Sequence, residues 1–123
     1  SGYTKGAKKS AVKSNQAAII KYIAAELKKC EIGEENVMVK GNDKLVCSDR
    51  KKSTNTAVAT EKALGSEFKN PYRTSEGAIQ TTSITCSGSG EGQTAVVQSG
   101  TTITVTSCEV DGATLLSGTV TIE

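Results

Sequence analysis

After Arg73 the chain contains no further lysine or arginine. Residues 1–73 carry all fifteen bases against eight acids, a net of +7, whereas residues 74–123 carry five acids and no base, a net of −5. The two parts also differ in alphabet. Residues 74–123 hold nineteen Ser or Thr, no aromatic side chain, and short β-branched runs separated by Gly or Asp-Gly, a pattern that predicts strands and turns. The first part opens with a basic, Ala-rich segment of helical period. The expected class is α+β, with a long amphipathic N-terminal helix packed on an antiparallel meander, and opposite charges on the two parts favour attraction between copies.

At 123 residues the chain predicts a single domain, 1–123, divided into a helical spine (1–30), a connecting region (31–76) and a strand region (77–123). Aromatics are few, so Ile, Val, Leu and Ala must build the core, and cross-links would help it. The chain has four cysteines, Cys30, Cys47, Cys86 and Cys108, and no histidine. Their spacings of 17, 39 and 22 fit no zinc pattern, which leaves two disulfides and an extracytoplasmic location. Of the three possible connectivities, Cys30 with Cys47 and Cys86 with Cys108 is favoured because each bridge then staples one local segment.

On a helical wheel, Val12, Gln16, Ile19, Ile20, Ile23, Leu27 and Cys30 share one sector about 100° wide, a core-facing stripe. Away from it lie Ala7, Ala11, Ser14, Ala18 and Ala25, bordered by Tyr22. Alanine is the best helix former and can simply decorate a solvent face. The other reading is a seam where a second helix approaches closely, since small side chains let backbones come together. No Asp or Asn cap and no acidic first turn marks the helix start, as though it continued from upstream; Gly33 is the expected stop.

Beyond the helix, Val37–Val39 and Lys44–Cys47 read as short strands around a Gly41-Asn42-Asp43 turn, and Thr56–Leu64 as a brief helix closed by Gly65. Asn70-Pro71 marks a turn. Strands are then expected over Ala78–Cys86, Thr94–Gln98, Thr102–Cys108 and Gly118–Ile122.

Little here supports chemistry. Without histidine, and with no serine in a distinctive nucleophile context, neither an enzyme nor a required cofactor is expected. Ser87–Gln93 spaces three glycines like a phosphate loop but lacks the Gly-Lys-Ser/Thr ending and a following helix, so it reads as a flexible hairpin loop. Asn42, Asp43 and Asp49, or Glu109 and Asp111, lack the spacing of a calcium loop and read as turn residues. Lys5, Lys8, Lys9 and Lys13 form a basic patch able to touch phosphates or a charged surface weakly, but no aromatics interleave for base stacking. These lysines are expected to serve contacts between subunits more than the fold, so that reversing Lys8, Lys9 and Lys13 leaves folding stability nearly unchanged.

In organisation, a helix continued from upstream, an α+β head and two cystines resemble a bacterial type IV pilin lacking the apolar N-terminal half of its long helix. Tyr3–Gln16 (YTKGAKKSAVKSNQ) is similar to the stretch where that family's spine leaves the membrane and enters the head. The family's methylated N-terminal residue and the Glu at its fifth position have no counterpart here. The resemblance implies a structural subunit of an extracellular pilus, or fimbrium, acting in adhesion, surface motility or DNA uptake. Its subunits would wait in the inner membrane with heads in the periplasm, then be stacked by the pilus assembly machinery into a helical homo-oligomer with helices inside. Cys86 and Cys108 would bound the family's C-terminal cystine region. A pseudopilin of a type II secretion system shares the fold but more typically carries calcium and no disulfides; an unrelated secreted binding module is the remaining alternative.

Overall fold

A computed structural model describes residues 4–123; Tyr3, the first residue of the Tyr3–Gln16 stretch singled out above, lies outside the described residues. Helix α1 spans Lys5–Glu31, and it does have a start signal. Thr4 is extended and its Oγ1 accepts a hydrogen bond from the Ala7 N–H at 3.2 Å, an N-cap that the expectation of an uncapped start missed. At the other end Gly33, at φ +107°, donates to the Cys30 carbonyl while Glu34 donates to that of Lys29. These paired bonds form a Schellman motif, and the left-handed residue it needs is the glycine expected to stop the helix.

The inner face of α1 buries Val12, Gln16, Ile19, Ile23, Leu27 and Cys30. Ile20, expected in the same stripe, sits half-buried at its margin over Gly118 of the sheet; a Cβ added at Gly118 would lie 2.7 Å from Ile20 Cδ1. Glycine there lets helix and strand approach.

After α1 come the hairpin β1 (Asn36–Lys40) and β2 (Asp43–Val46), then α2 (Asn55–Leu64) with Gly65 as its C-cap. A small pair, β3 (Lys69–Asn70) and β4 (Arg73–Gly77), turns at Asn70-Pro71. The main sheet has the order β5-β6-β7-β8, from β5 (Ile79–Gln80), β6 (Thr94–Ser99), β7 (Thr102–Ser107) and β8 (Leu116–Thr121). Both helices pack on one face of it, with Val96, Ile103 and Val105 joining Ile19, Ile23 and Leu27 in one apolar cluster. The fold is therefore α+β, and both disulfides join sequential cysteines, Cys30 to Cys47 and Cys86 to Cys108, with Cα separations of 5.5 and 5.0 Å.

The strand expected over Ala78–Cys86 is mostly absent. Only β5 forms, and it runs parallel to β6, so the sheet is not a pure antiparallel meander. The segment leaves the sheet as it passes against buried Gly90, where a Cβ would meet the Thr85 carbonyl, and at its end Cys86 is bonded to Cys108 while its carbonyl accepts from Gly112 N–H. β-branched composition alone does not decide where backbone groups find partners.

Two buried amides tie helices to sheet. Gln16 Nε2 donates to the Val105 carbonyl at 2.8 Å, and its Oε1 accepts from Ser107 Oγ, which lies 2.8 Å from Thr94 Oγ1. Gln98 Oε1 accepts from Thr56 N–H and Ala57 N–H at 2.9 and 3.1 Å, capping α2, which has no side-chain cap of its own. Replacing Gln98 by Ala should leave those buried N–H groups unpaired and lower stability by about 1–3 kcal/mol, read from a urea melt.

Candidate assembly surface on the long helix

Opposite its buried stripe, α1 presents the small-residue seam to solvent. Ala7, Ser14, Ala18 and Ala25 are exposed, while Ala11 and Tyr22 are half-buried along one margin. Tyr22 packs against the core cluster, so it belongs partly to the fold. The seam follows a helix of 27 residues, about 40 Å at 1.5 Å per residue. Its outward groups are methyls and one hydroxyl, which raise no steric barrier to another helix.

The basic patch divides. Lys5 stays exposed, and Lys9 is half-exposed beside it. Lys13 instead lies 3.4 Å from Glu109, whose side chain is only 15% exposed, and Lys8 Nζ sits 5.3 Å from the centroid of the Tyr72 ring. Glu109 Oε2 is buried without a hydrogen-bond donor, so the Lys13 charge offsets an otherwise costly carboxylate. Tyr72 in turn donates its phenol to the Glu109 carbonyl at 2.5 Å. Half of the patch thus braces the start of α1 against the segment after Cys108. The expectation that reversing Lys8, Lys9 and Lys13 leaves folding unchanged is corrected: Lys13→Glu would set two carboxylates together. That substitution should cost well above the ~0.5 kcal/mol of an ordinary surface change, whereas Lys5→Glu with Lys9→Glu should stay near that value in a urea melt.

Ser87–Gln93 is no flexible hairpin loop. Gly88–Gly90 form a 3-10 turn; Arg73 Nη2 donates to the Ser89 carbonyl at 2.6 Å, and Asn70 Nδ2 to that of Glu91 at 2.8 Å. Asn70 is fully buried, its Oδ1 accepts from Tyr72 N–H, and a Cβ on Gly92 would strike that same amide. Of the carboxylates considered for calcium, Asp111 Oδ1 accepts from Gly88 N–H, Asp49 pairs with Lys52 at 2.9 Å and Glu109 lies 3.4 Å from Lys13, while Asp111 N–H donates to Glu91 Oε2. The sequence signalled Asn70 only as a turn residue, although its amide organises the loop.

At the far end of α1, Glu26 Oε1 accepts from Met38 N–H at 2.8 Å while Lys29 Nζ binds its other oxygen at 2.6 Å. Met38 is buried at φ +52°, a left-handed conformation unusual for its side chain, in the irregular part of the β1–β2 pairing. Together with Cys30–Cys47, this carboxylate fixes the hairpin to the helix.

Both internal tyrosines hold their protons more tightly than a free phenol. Burial pushes Tyr22 up, with the Glu26 and Glu67 charges adding; burial also raises Tyr72, helped by Glu91 and Glu109. Above the ordinary phenolic value of about 10, the unfolded chain loses these protons before the folded chain does, so stability is intact below that pH and falls as pH climbs through the raised values. Tyr22→Phe should flatten this alkaline decline in melts taken at successive pH values.

Among the described residues no helix is long and apolar enough to cross a membrane. No protein-family model, curated protein or solved structure matches this chain.

Proposed function

We propose that the chain is the head of a structural subunit in an extracellular filament of the type IV pilin kind, with α1 as the lower part of its spine. One observation carries the reading: a long helix buries one stripe in its own domain and turns Ala7, Ser14, Ala18 and Ala25 to solvent on the opposite side, with Lys21 and Tyr22 standing between the last two. A helix with two packing faces suits a subunit whose spine lies among copies of itself. The free lysines near its start and the base-free strand region favour contact between successive heads in an open array. In this reading an upstream apolar segment anchors the subunit in the inner membrane until the assembly machinery extracts it, and the filament serves adhesion, motility or DNA uptake.

The test is to raise antibody against the head and examine intact cells and sheared surface material by electron microscopy. Labelling along thin filaments is expected, together with upstream codons specifying a charged leader and an apolar run of about 20 residues. Protein found only as free secreted material behind a cleavable secretory signal would overturn the proposal.

A further inference from the structure

The main sheet ends on one side at the two-residue β5 and on the other at the six-residue β8. β8 pairs with β7 in unbroken register, and among the described residues no other segment hydrogen-bonds to Leu116–Thr121. Its outer row of N–H and C=O groups is open. Natural sheets protect such edges with lysine, proline, a bulge or a covering element. β8 has no bulge in its pairing, no proline, and no charge from Gly112 to Ile122. On the helix-facing side of this edge, Leu116, Val120 and Ile20 remain half-buried.

We propose that β8 is a strand-pairing edge whose occupant is the β8 of a second copy, antiparallel across a two-fold axis through Gly118. Centred there, Leu116 falls opposite Val120 of the second copy and Ser117 opposite Thr119 of the second copy. Inner-face positions then meet inner-face positions, and the half-buried apolar side chains are covered by equivalent ones. Charge also selects a second copy. Past the C-terminal end of β8, Arg50 donates from Nε and Nη2 to the Glu123 carbonyl at 3.2 and 2.8 Å, and with Lys51 and Lys52 it outnumbers Asp49, which pairs with Lys52, and the Glu123 carboxylate. Ahead of its N-terminal end lie Glu109 and Asp111, with Glu91 bonded to Asp111, three acids against the one lysine, Lys13, that pairs with Glu109. Antiparallel pairing sets the acidic end of each strand beside the basic end of the other, twice, with no like charges along the strands between. Such a pair is closed and isologous, does not depend on the filament reading, and requires only the chain described here.

Sedimentation equilibrium of the whole chain at low salt should show a monomer–dimer equilibrium, with amide exchange at Leu116–Thr121 slowing as protein concentration rises. Ser117 and Thr119 point to the exposed sheet face, so Ser117→Lys with Thr119→Lys should keep the fold while setting lysines opposite lysines, weakening association by about tenfold or more. The matching glutamate pair should weaken it likewise, and mixing the two variants should restore a heterodimer. Thr102→Lys with Thr104→Lys, on the same face of β7 but away from the edge, should leave association unchanged. A chain that stays monomeric at every concentration would overturn the proposal. So would a dimer indifferent to the β8 lysines, or one lost equally with the β7 lysines.

Discussion

Replacing Cys86 and Cys108 together by serine is expected to lower folding stability by about 3 kcal/mol from the freed chain entropy of a loop of this length. The separation is 22 residues, and the bridge sits where the fold has least regular structure. Gly112 N–H donates to the Cys86 carbonyl at 2.7 Å, and the Tyr72, Glu109 and Lys13 contacts lie directly after Cys108. Losing the bridge should therefore loosen the brace on the start of α1 as well, and urea melts should show a lower midpoint. Serine at Cys30 and Cys47 should cost a similar entropy but leave that brace intact, because this bridge joins the opposite end of the helix to the β1–β2 hairpin. The distinguishing readout is amide exchange in residues 5–13, accelerated in the first variant and near native in the second. Equal exchange in both would show that the brace does not rest on the second disulfide.

Replacing Ile23 by Ala is the other large effect. Ile23 is fully buried in the cluster that joins α1 to the sheet, so its truncation should cost about 2–5 kcal/mol, part lost transfer energy and part cavity. Calorimetry or a denaturant melt measures this directly. A loss below about 1 kcal/mol would mean that neighbouring side chains collapse into the space or that the stripe is not the core of the head.

How far the sequence was legible follows from the range of each signal. The α1 stripe, its stop at Gly33 and the second helix were readable because period and capping chemistry are local. β6, β7 and β8 were readable because their alternation is local too. Ala78–Cys86 has the same composition, yet only Ile79–Gln80 pair in the sheet and Cys86 is held at Cys108, which sequence spacing does not display. Gln16 was correctly placed on the buried stripe, but nothing local revealed that its amide would bridge to Ser107 and Val105. The basic patch was misjudged for the same reason: Lys8 and Lys13 find Tyr72 and Glu109 through contacts far apart in sequence, while Lys5 stays exposed and Lys9 half-exposed. Gln98 went unnoticed because a helix cap supplied from a distant strand leaves no motif near the helix.

The central claim assigns the two faces of α1 to different duties, and Ala18→Leu tests it most directly. Ala18 is exposed, so in the isolated chain a leucine should shift stability by only ~0.5 kcal/mol. Under the proposed filament function, the same leucine in cells making the full-length protein should wedge apart closely approaching helices and abolish surface filaments. The decisive measurement is a count of surface filaments on cells carrying full-length Ala18→Leu, with a urea melt of the isolated variant beside it. The account predicts few or no filaments from a normally stable head; normal filament numbers, or a head badly destabilised by the leucine, would contradict it.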